Sequence, residues 1–244
     1  MKTRIDKLLV QRGMAPSRER AQSLILAGRV LVNEQKIAKV GTAVDDACDV
    51  RLLGDDMRYV SRGGLKLEKA LQRWEIDLKG KICMDVGAST GGFTDCMLQH
   101  GAARVIAVDT GYGQIDARLR ADARVRLLEK TNARYLEPQS VGELVQFVAL
   151  DVSFISATLV LPAVIRSAFV GEYGEMVLLV KPQFEVGREL VGKGGIVKLE
   201  SAQQMAVDKV RAAVKELGGK ELQVLESPIL GAKGNREFLL HARF

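Results

Sequence analysis

One stretch limits the fold of this chain more than any other. The apolar run Ile82-Cys83-Met84-Asp85-Val86 breaks directly into Gly87-Ala88-Ser89-Thr90-Gly91-Gly92-Phe93-Thr94. A short apolar run of this kind reads as a buried strand. The glycines let the backbone turn tightly and approach a ligand closely, and residues 93–100 then suit a helix. The same alternation continues downstream. Residues 105–108, 125–128, 147–150 and 176–180 read as further buried strands, and 155–168 and 200–217 as helices. Residues 221–226 and 237–242 read as two final strands. Strands alternating with helices predict an α/β domain built on a parallel, doubly wound sheet.

Such sheets bind ligands beyond the carboxyl ends of their strands. The helix after the glycine turn offers free N–H groups to an anion, for instance the carboxylate of a methionine moiety. Asp109 ends the second strand, where a carboxylate can accept hydrogen bonds from both hydroxyls of an adenosine ribose. A dinucleotide site shares this outline, but Ser89 stands where G-x-G-x-x-G wants glycine. The turn is closer to the D-x-G-x-G-x-G of methyltransferases, with that one serine replacement. Contacts to the nucleotide-like ligand are expected from Asp85, Gly87, Ala88, Ser89, Gly91, Gly92, Phe93 and Asp109. Asn132, in Lys130-Thr131-Asn132-Ala133-Arg134 after the third strand, is expected to border the adenine. The turn alone does not choose the ligand.

Four more charges occupy places that a packed strand avoids. Lys66 lies in Ser61-Arg62-Gly63-Gly64-Leu65-Lys66-Leu67, just before the first helix expected in this domain. Asp151 closes the fourth strand and Lys181 the fifth, and Glu237 stands in Asn235-Arg236-Glu237-Phe238. Strands four and five are expected beside strand one, which would bring Asp151 and Lys181 to the glycine turn. Each charge singly is as well explained as a solvated strand end, but the four together favour a site. A ribose hydroxyl must lose its proton as it is methylated, and a neutral lysine can take it. Free lysine has a pKa of about 10.4, which desolvation and a second cation lower and a nearby carboxylate raises. Lys181 is the candidate base and Lys66 the second cation, with Asp151 and Glu237 orienting both amines and the ribose.

The first sixty residues have a different character. Thr3 is placed to cap a helix over 5–12, and Ser17 one over 18–27, with Gly13 and Gly28 as stops. Residues 29–33 alternate like a strand with a turn at 33–35, 49–53 form another, and 54–60 have no sustained period. Arg4, Lys7, Arg12, Arg18, Arg20 and Arg29 cluster in this part. Any one of them reads as a solvated surface charge. As a group they suit phosphate binding, and folded RNA is read largely through backbone and shape. Arg4, Lys7, Arg18, Arg20 and Arg29 are therefore the expected RNA contacts. The expected division is an RNA-binding domain over 1–58, a linker over 59–63 and the α/β domain over 64–244.

Composition narrows the alternatives. A formal net charge of +6 favours polyanionic partners. Cys48, Cys83 and Cys96 are widely spaced without a C-x-x-C, and His100 and His241 are the chain's two histidines. Reduced thiols, a cytoplasmic location and no structural metal are expected. The opening residues show no secretion signal, and the most apolar region, 147–170, is interrupted by Asp151, Pro162 and Arg166. A membrane span is not expected.

These motifs carry two resemblances. Arg4-Ile-Asp-Lys-Leu-Leu-Val, Ser17-Arg18 and Gly28-Arg29-Val30-Leu31-Val32-Asn33 resemble the small RNA-binding domain named after the fourth protein of the small ribosomal subunit. Lys66, Asp151, Lys181 and Glu237 resemble the Lys-Asp-Lys-Glu set of the FtsJ-like ribose 2′-O-methyltransferases. The whole chain is similar to the TlyA family, also called hemolysin A, most specifically in residues 60–67, 87–94, 109–114, 151–156 and 181–185. The resemblance implies a Rossmann-like methyltransferase sheet, S-adenosylmethionine as cofactor, and 2′-O-methylation of a cytidine in ribosomal RNA. Some family members modify the large subunit alone, and the short stretch after Glu237 leans towards that type. Three other readings stay open: a non-catalytic ribosome-assembly factor, a membrane-active haemolysin and a dehydrogenase.

Overall fold

The structure is a computed structural model that describes residues 2–53, 58–169, 174–231 and 233–244. Residues 54–57 of the unpatterned stretch and Val170 of the apolar region lie outside the described residues. The chain divides into two compact units, Met1–Arg58 and Tyr59–Phe244.

The first unit runs β1 (Lys2–Arg4), α1 (Ile5–Gln11), α2 (Arg18–Leu26), β2 (Val30–Val32), β3 (Gln35–Lys36), β4 (Ala43–Asp45) and β5 (Val50–Leu52). Ile5, Leu8, Leu9, Leu24, Ile25 and Val30 form its core. Ser17 caps α2 by accepting the Arg20 N–H at 3.2 Å. Thr3 does not cap α1. It belongs to β1, opposite Val44 of β4, so Arg4 takes the cap position without a side-chain bond. At the β2–β3 turn Asn33 and Glu34 have φ of 47° and 62°, as a two-residue hairpin of matching twist requires.

The second unit runs α3 (Gly63–Arg73), β6 (Ile82–Val86), α4 (Gly92–Gln99), β7 (Arg104–Val108), α5 (Ala117–Ala121), β8 (Val125–Leu128), α6 (Pro138–Val141), β9 (Phe147–Leu150), α7 (Ala157–Ala168), β10 (Glu175–Val180), α8 (Pro182–Glu185), α9 (Glu200–Glu216), β11 (Lys220–Glu226) and β12 (Phe238–Arg243). Its sheet has seven strands in the order β11-β12-β10-β9-β6-β7-β8. Strands β10, β9, β6, β7 and β8 are parallel, and β12 lies antiparallel between β10 and β11. Alternate strand residues serve opposite faces. Met84, Val86, Ile106 and Val108 pack under α7 and α9, whereas Cys83, Val105 and Ala107 pack under α3 and α4. Helices thus cover both faces of the sheet.

Three expectations are corrected here. Strand five is not beside strand one, because β10 pairs with β9 and β12. Lys66 is not ahead of the first helix but within α3, which begins at Gly63. The segment 59–63 is not a free linker. Tyr59 is buried in the core of the second unit, and the Val60 N–H donates to Asp95 Oδ2 at 2.8 Å. A Cβ on Gly64 would stand 2.3 Å from the Tyr59 ring, so glycine there lets the helix start against the aromatic.

Candidate active site

The order of the sheet reverses at β6. The chain goes from β6 outward to β7 and β8, then returns to place β9 on the other side of β6. Such a switch point opens a crevice at the carboxyl ends of its two strands. Gly87, with φ of 87°, turns the chain there. A Cβ on it would lie 2.5 Å from the Asp151 carbonyl oxygen, so the turn after β6 touches the end of β9 only through glycine.

A cleft of about 590 Å³ occupies this crevice, lined among others by Asp85, Gly87, Ala88, Ser89, Gly92 and Phe93. Asp85 is fully buried. Its Oδ2 accepts the Thr94 N–H at 2.8 Å and the Thr94 hydroxyl at 2.6 Å, while Oδ1 has no hydrogen-bond partner. Burial pushes the carboxyl up to about 7, opposed by the Thr94 bonds and reinforced by Asp151 and Asp109. A buried orphan carboxylate oxygen is costly, and one on a cleft wall suits a cationic ligand group. Gly91, another expected contact, does not line the cleft. It caps α4 in a left-handed conformation and packs towards Leu119 and Ile115.

A second hollow of about 300 Å³ adjoins the first, sharing Gly87, Ser89 and Asp151 with it, and is lined by Asp109, Thr110, Thr131 and Asn132. Asp109 Oδ2 accepts the Ser89 N–H at 2.7 Å and Oδ1 accepts the Gly111 N–H at 2.7 Å. These bonds fix the carboxylate and leave lone pairs for ribose hydroxyls. Ser89 itself has φ of 48°, the left-handed region that explains why related turns favour glycine. Asn132 accepts the Arg134 N–H at 3.0 Å and so caps the short turn below the hollow.

All four charges singled out in the sequence line the larger cleft. They form two pairs. Lys66 Nζ donates to Glu237 Oε2 at 2.6 Å, both groups being buried. Lys181 Nζ lies 2.6 Å from Asp151 Oδ1 and donates to Ser153 Oγ at 2.7 Å. Glu237 reaches the carboxyl edge because β12 is antiparallel and opens with Phe238 opposite Val180, the last residue of β10.

Sequence reasoning missed Ser153, Phe154 and Phe184. Phe154 is 91% exposed, has φ of 66°, and sets its ring 5.5 Å from that of Phe184. Both rings line the cleft. A large aromatic just past a strand end, among polar residues, was the available signal.

In the first unit, Arg4 and Arg18 share one carboxylate. Asp6 is buried and accepts Arg4 Nε at 3.0 Å, Arg18 Nη2 at 2.9 Å and Gln22 Nε2 at 3.3 Å. The Arg4 hydrogen bond, helped by Arg18 and Gln22, holds that carboxyl well below the ordinary range despite burial. Lys7 is exposed. Arg29 donates to the Leu53 carbonyl at 2.8 Å and is half-buried, as is Arg20. Arg12 is taken up by the carbonyls of Cys48 and Asp46. Among the described residues, no group of His, Cys, Asp and Glu is arranged to hold a metal ion. No described helix is long and apolar enough to cross a membrane.

The FtsJ-like methyltransferase family model matches residues 59–244, and the S4 domain model matches residues 3–50. The chain is 44% identical over 243 residues to the 16S/23S rRNA (cytidine-2′-O)-methyltransferase TlyA of Mycobacterium tuberculosis, covering 99% of this chain and 90% of that one. It is 40% identical over 239 residues to Hemolysin A of Brachyspira hyodysenteriae, covering 98% of each. A solved structure from Streptococcus thermophilus, also named for hemolysin, superposes with a TM-score of 0.75 at 45% identity over 99% of this chain and 88% of that one.

Proposed function

Because the chain belongs to the TlyA (hemolysin A) family of FtsJ-like methyltransferases, we propose that it uses S-adenosylmethionine to methylate the ribose 2′-hydroxyl of a cytidine in ribosomal RNA. The large subunit is the proposed substrate: the tuberculosis enzyme is named for both 16S and 23S rRNA, and a relative from Campylobacter jejuni, 35% identical over 184 residues, is named for 23S rRNA alone. The site of action would be the cytoplasm, where ribosomal subunits are. The observation that carries the reading is the convergence of Lys66, Asp151, Lys181 and Glu237 on the cleft that the glycine turn walls.

The residues fit the cofactor. Asp85 Oδ1 offers a buried acceptor to the ammonium of a methionine moiety, and the first turn of α4 offers N–H groups to its carboxylate. Asp109 would take the ribose hydroxyls and Asn132 would border the adenine. When bound, S-adenosylmethionine supplies an activated methyl group. Lys181, once its ammonium has given up a proton to solvent, would accept the proton that the ribose hydroxyl loses on methylation, and Asp151 and Ser153 would hold the amine in place. Lys66, fixed by Glu237, adds positive charge to the same cleft. Phe154 presents an open aromatic face on which a base can stack. In the first unit Arg4, Lys7, Arg18, Arg20 and Arg29 would contact RNA phosphates.

The test is transfer of labelled methyl from S-adenosylmethionine to isolated ribosomal subunits. Wild type should label the large subunit at a cytidine 2′-oxygen. Lys181→Ala should lose about 10²–10⁴-fold in rate, the range of general-base catalysis. Equal incorporation by both would remove Lys181 from the chemistry. No incorporation by wild type on any ribosomal particle would overturn the proposal.

A further inference from the structure

Glu185 is a buried carboxylate to which the reaction above gives no part. It ends α8, just after Lys181, and faces the start of α7, just after Asp151. Its Oε1 accepts the Ala157 N–H at 2.7 Å, and its Oε2 accepts the Ser156 hydroxyl at 2.5 Å. From α9, Lys209 donates to the Glu185 carbonyl at 2.8 Å and stands 3.4 Å from its carboxylate.

The two loops that leave β9 and β10 are therefore joined at three successive levels. Lys181 meets Asp151 and Ser153 at the cleft. The Phe184 ring meets that of Phe154. Glu185 meets Ser156 and Ala157 behind them. Phe154 lies between the first and third levels in a left-handed conformation that is strained for a phenylalanine. Such a turn persists only when its surroundings fix both ends. The cleft fixes one end through Ser153, and the Glu185 carboxylate holds the other through Ser156 and Ala157.

We propose that Glu185 is a positioning residue that clasps the Ser153–Phe154 turn to the Lys181 loop and so holds the candidate base and the exposed ring in their working arrangement. The inference rests on the transferase reading for its kinetic test and on the geometry alone for its structural one.

Glu185→Ala should lower kcat for methyl transfer at least tenfold at saturating S-adenosylmethionine and ribosomal subunits, with cofactor Kd within twofold of wild type. Glu185→Gln, which keeps an acceptor for the Ala157 N–H, should recover kcat to within threefold. Lys209→Ala, which removes the ion pair but leaves the clasp, should keep wild-type kcat even if its Tm falls. Amide hydrogen exchange over residues 152–157 should accelerate at least tenfold in Glu185→Ala and not in Lys209→Ala. A folded Glu185→Ala with wild-type kcat and exchange overturns the proposal. So does a Lys209→Ala that loses kcat equally, which would reduce Glu185 to an anchor of α9. If Glu185→Ala does not fold, Ser156→Ala should lower kcat at least threefold, and an unchanged kcat overturns the proposal. If wild type methylates nothing, the transferase reading fails and the exchange comparison still decides for or against the clasp.

Discussion

Lys66 and Glu237 stand 171 positions apart in the chain, and their side chains meet at 2.6 Å inside the cleft. Two buried charges tolerate each other there because each removes the need to desolvate the other unpaired. Glu237→Ala should therefore destabilise the second unit by about 3–5 kcal/mol by stranding the Lys66 ammonium. Lys66→Met combined with Glu237→Leu should recover most of that stability and none of the activity. Urea unfolding followed beside methyl transfer separates the two effects. A Glu237→Ala protein as stable as wild type would mean that solvent reaches Lys66.

Asp85 should make stability and affinity for S-adenosylmethionine depend on pH in opposite directions. Its folded pKa, raised by burial to about 7, exceeds the ordinary value of about 3.9. Between those values the folded protein keeps a proton that the unfolded chain has lost, so the stability of the ligand-free protein falls as pH rises through that window. Affinity for S-adenosylmethionine should instead rise, since its ammonium needs the ionised oxygen. Asp85→Asn should flatten both trends and weaken binding about tenfold, roughly one charge-assisted hydrogen bond. Calorimetric titrations at about pH 6 and about pH 8 give the answer, and equal affinity at both would separate Asp85 from the ligand.

Arg4 and Arg18 are held half-exposed on one buried carboxylate. Replacing either by Ala should lower RNA affinity for all sequences alike and reduce the salt slope of binding by about 0.7–0.9, one phosphate's worth. Asp6→Asn should leave the charge in place and reduce affinity by freeing both side chains. Binding measured at several salt concentrations distinguishes these outcomes, and an unchanged slope in both arginine variants would remove them from the interface.

Phe154 is exposed and strained, so its removal should not harm the fold. Phe154→Ala should keep Tm and cofactor Kd while weakening productive RNA binding by about 1–3 kcal/mol, the worth of one stacked base. Phe154→Gly should in addition relieve the left-handed backbone and raise stability by up to about 1 kcal/mol. Steady-state kinetics on ribosomal subunits with wild-type kcat/KM for Phe154→Ala would exclude stacking.

Strands β6, β7, β9 and β10 were the most legible because they lie buried on both faces and read as nearly continuous apolar runs, such as Phe147–Leu150. The four charges were legible for the converse reason, since Asp151 and Lys181 stand where those runs stop. What the sequence concealed depends on approach between distant segments. Nothing near Gly63 announces that α3 begins two residues after Ser61, because the start is set by the Tyr59 ring against Gly64. Thr3 has the chemistry of a helix cap and lost that role to strand pairing with Val44, which comes from 41 positions away. Glu185 reads locally as the end of a short polar segment, and its burial follows only from the meeting of α7 with α8.

Strand β12 enters the sheet against the grain of its neighbours, and that direction has a consequence for biosynthesis. A nascent polypeptide has already delivered the glycine turn and both lysines when residue 237 is still to be added. Until the β11–β12 hairpin folds back beside β10, Lys66 lacks Glu237 as its counter-charge. Until residue 237 has been added, the growing polypeptide therefore lacks the fourth member of its charged set, however much of the sheet has already formed.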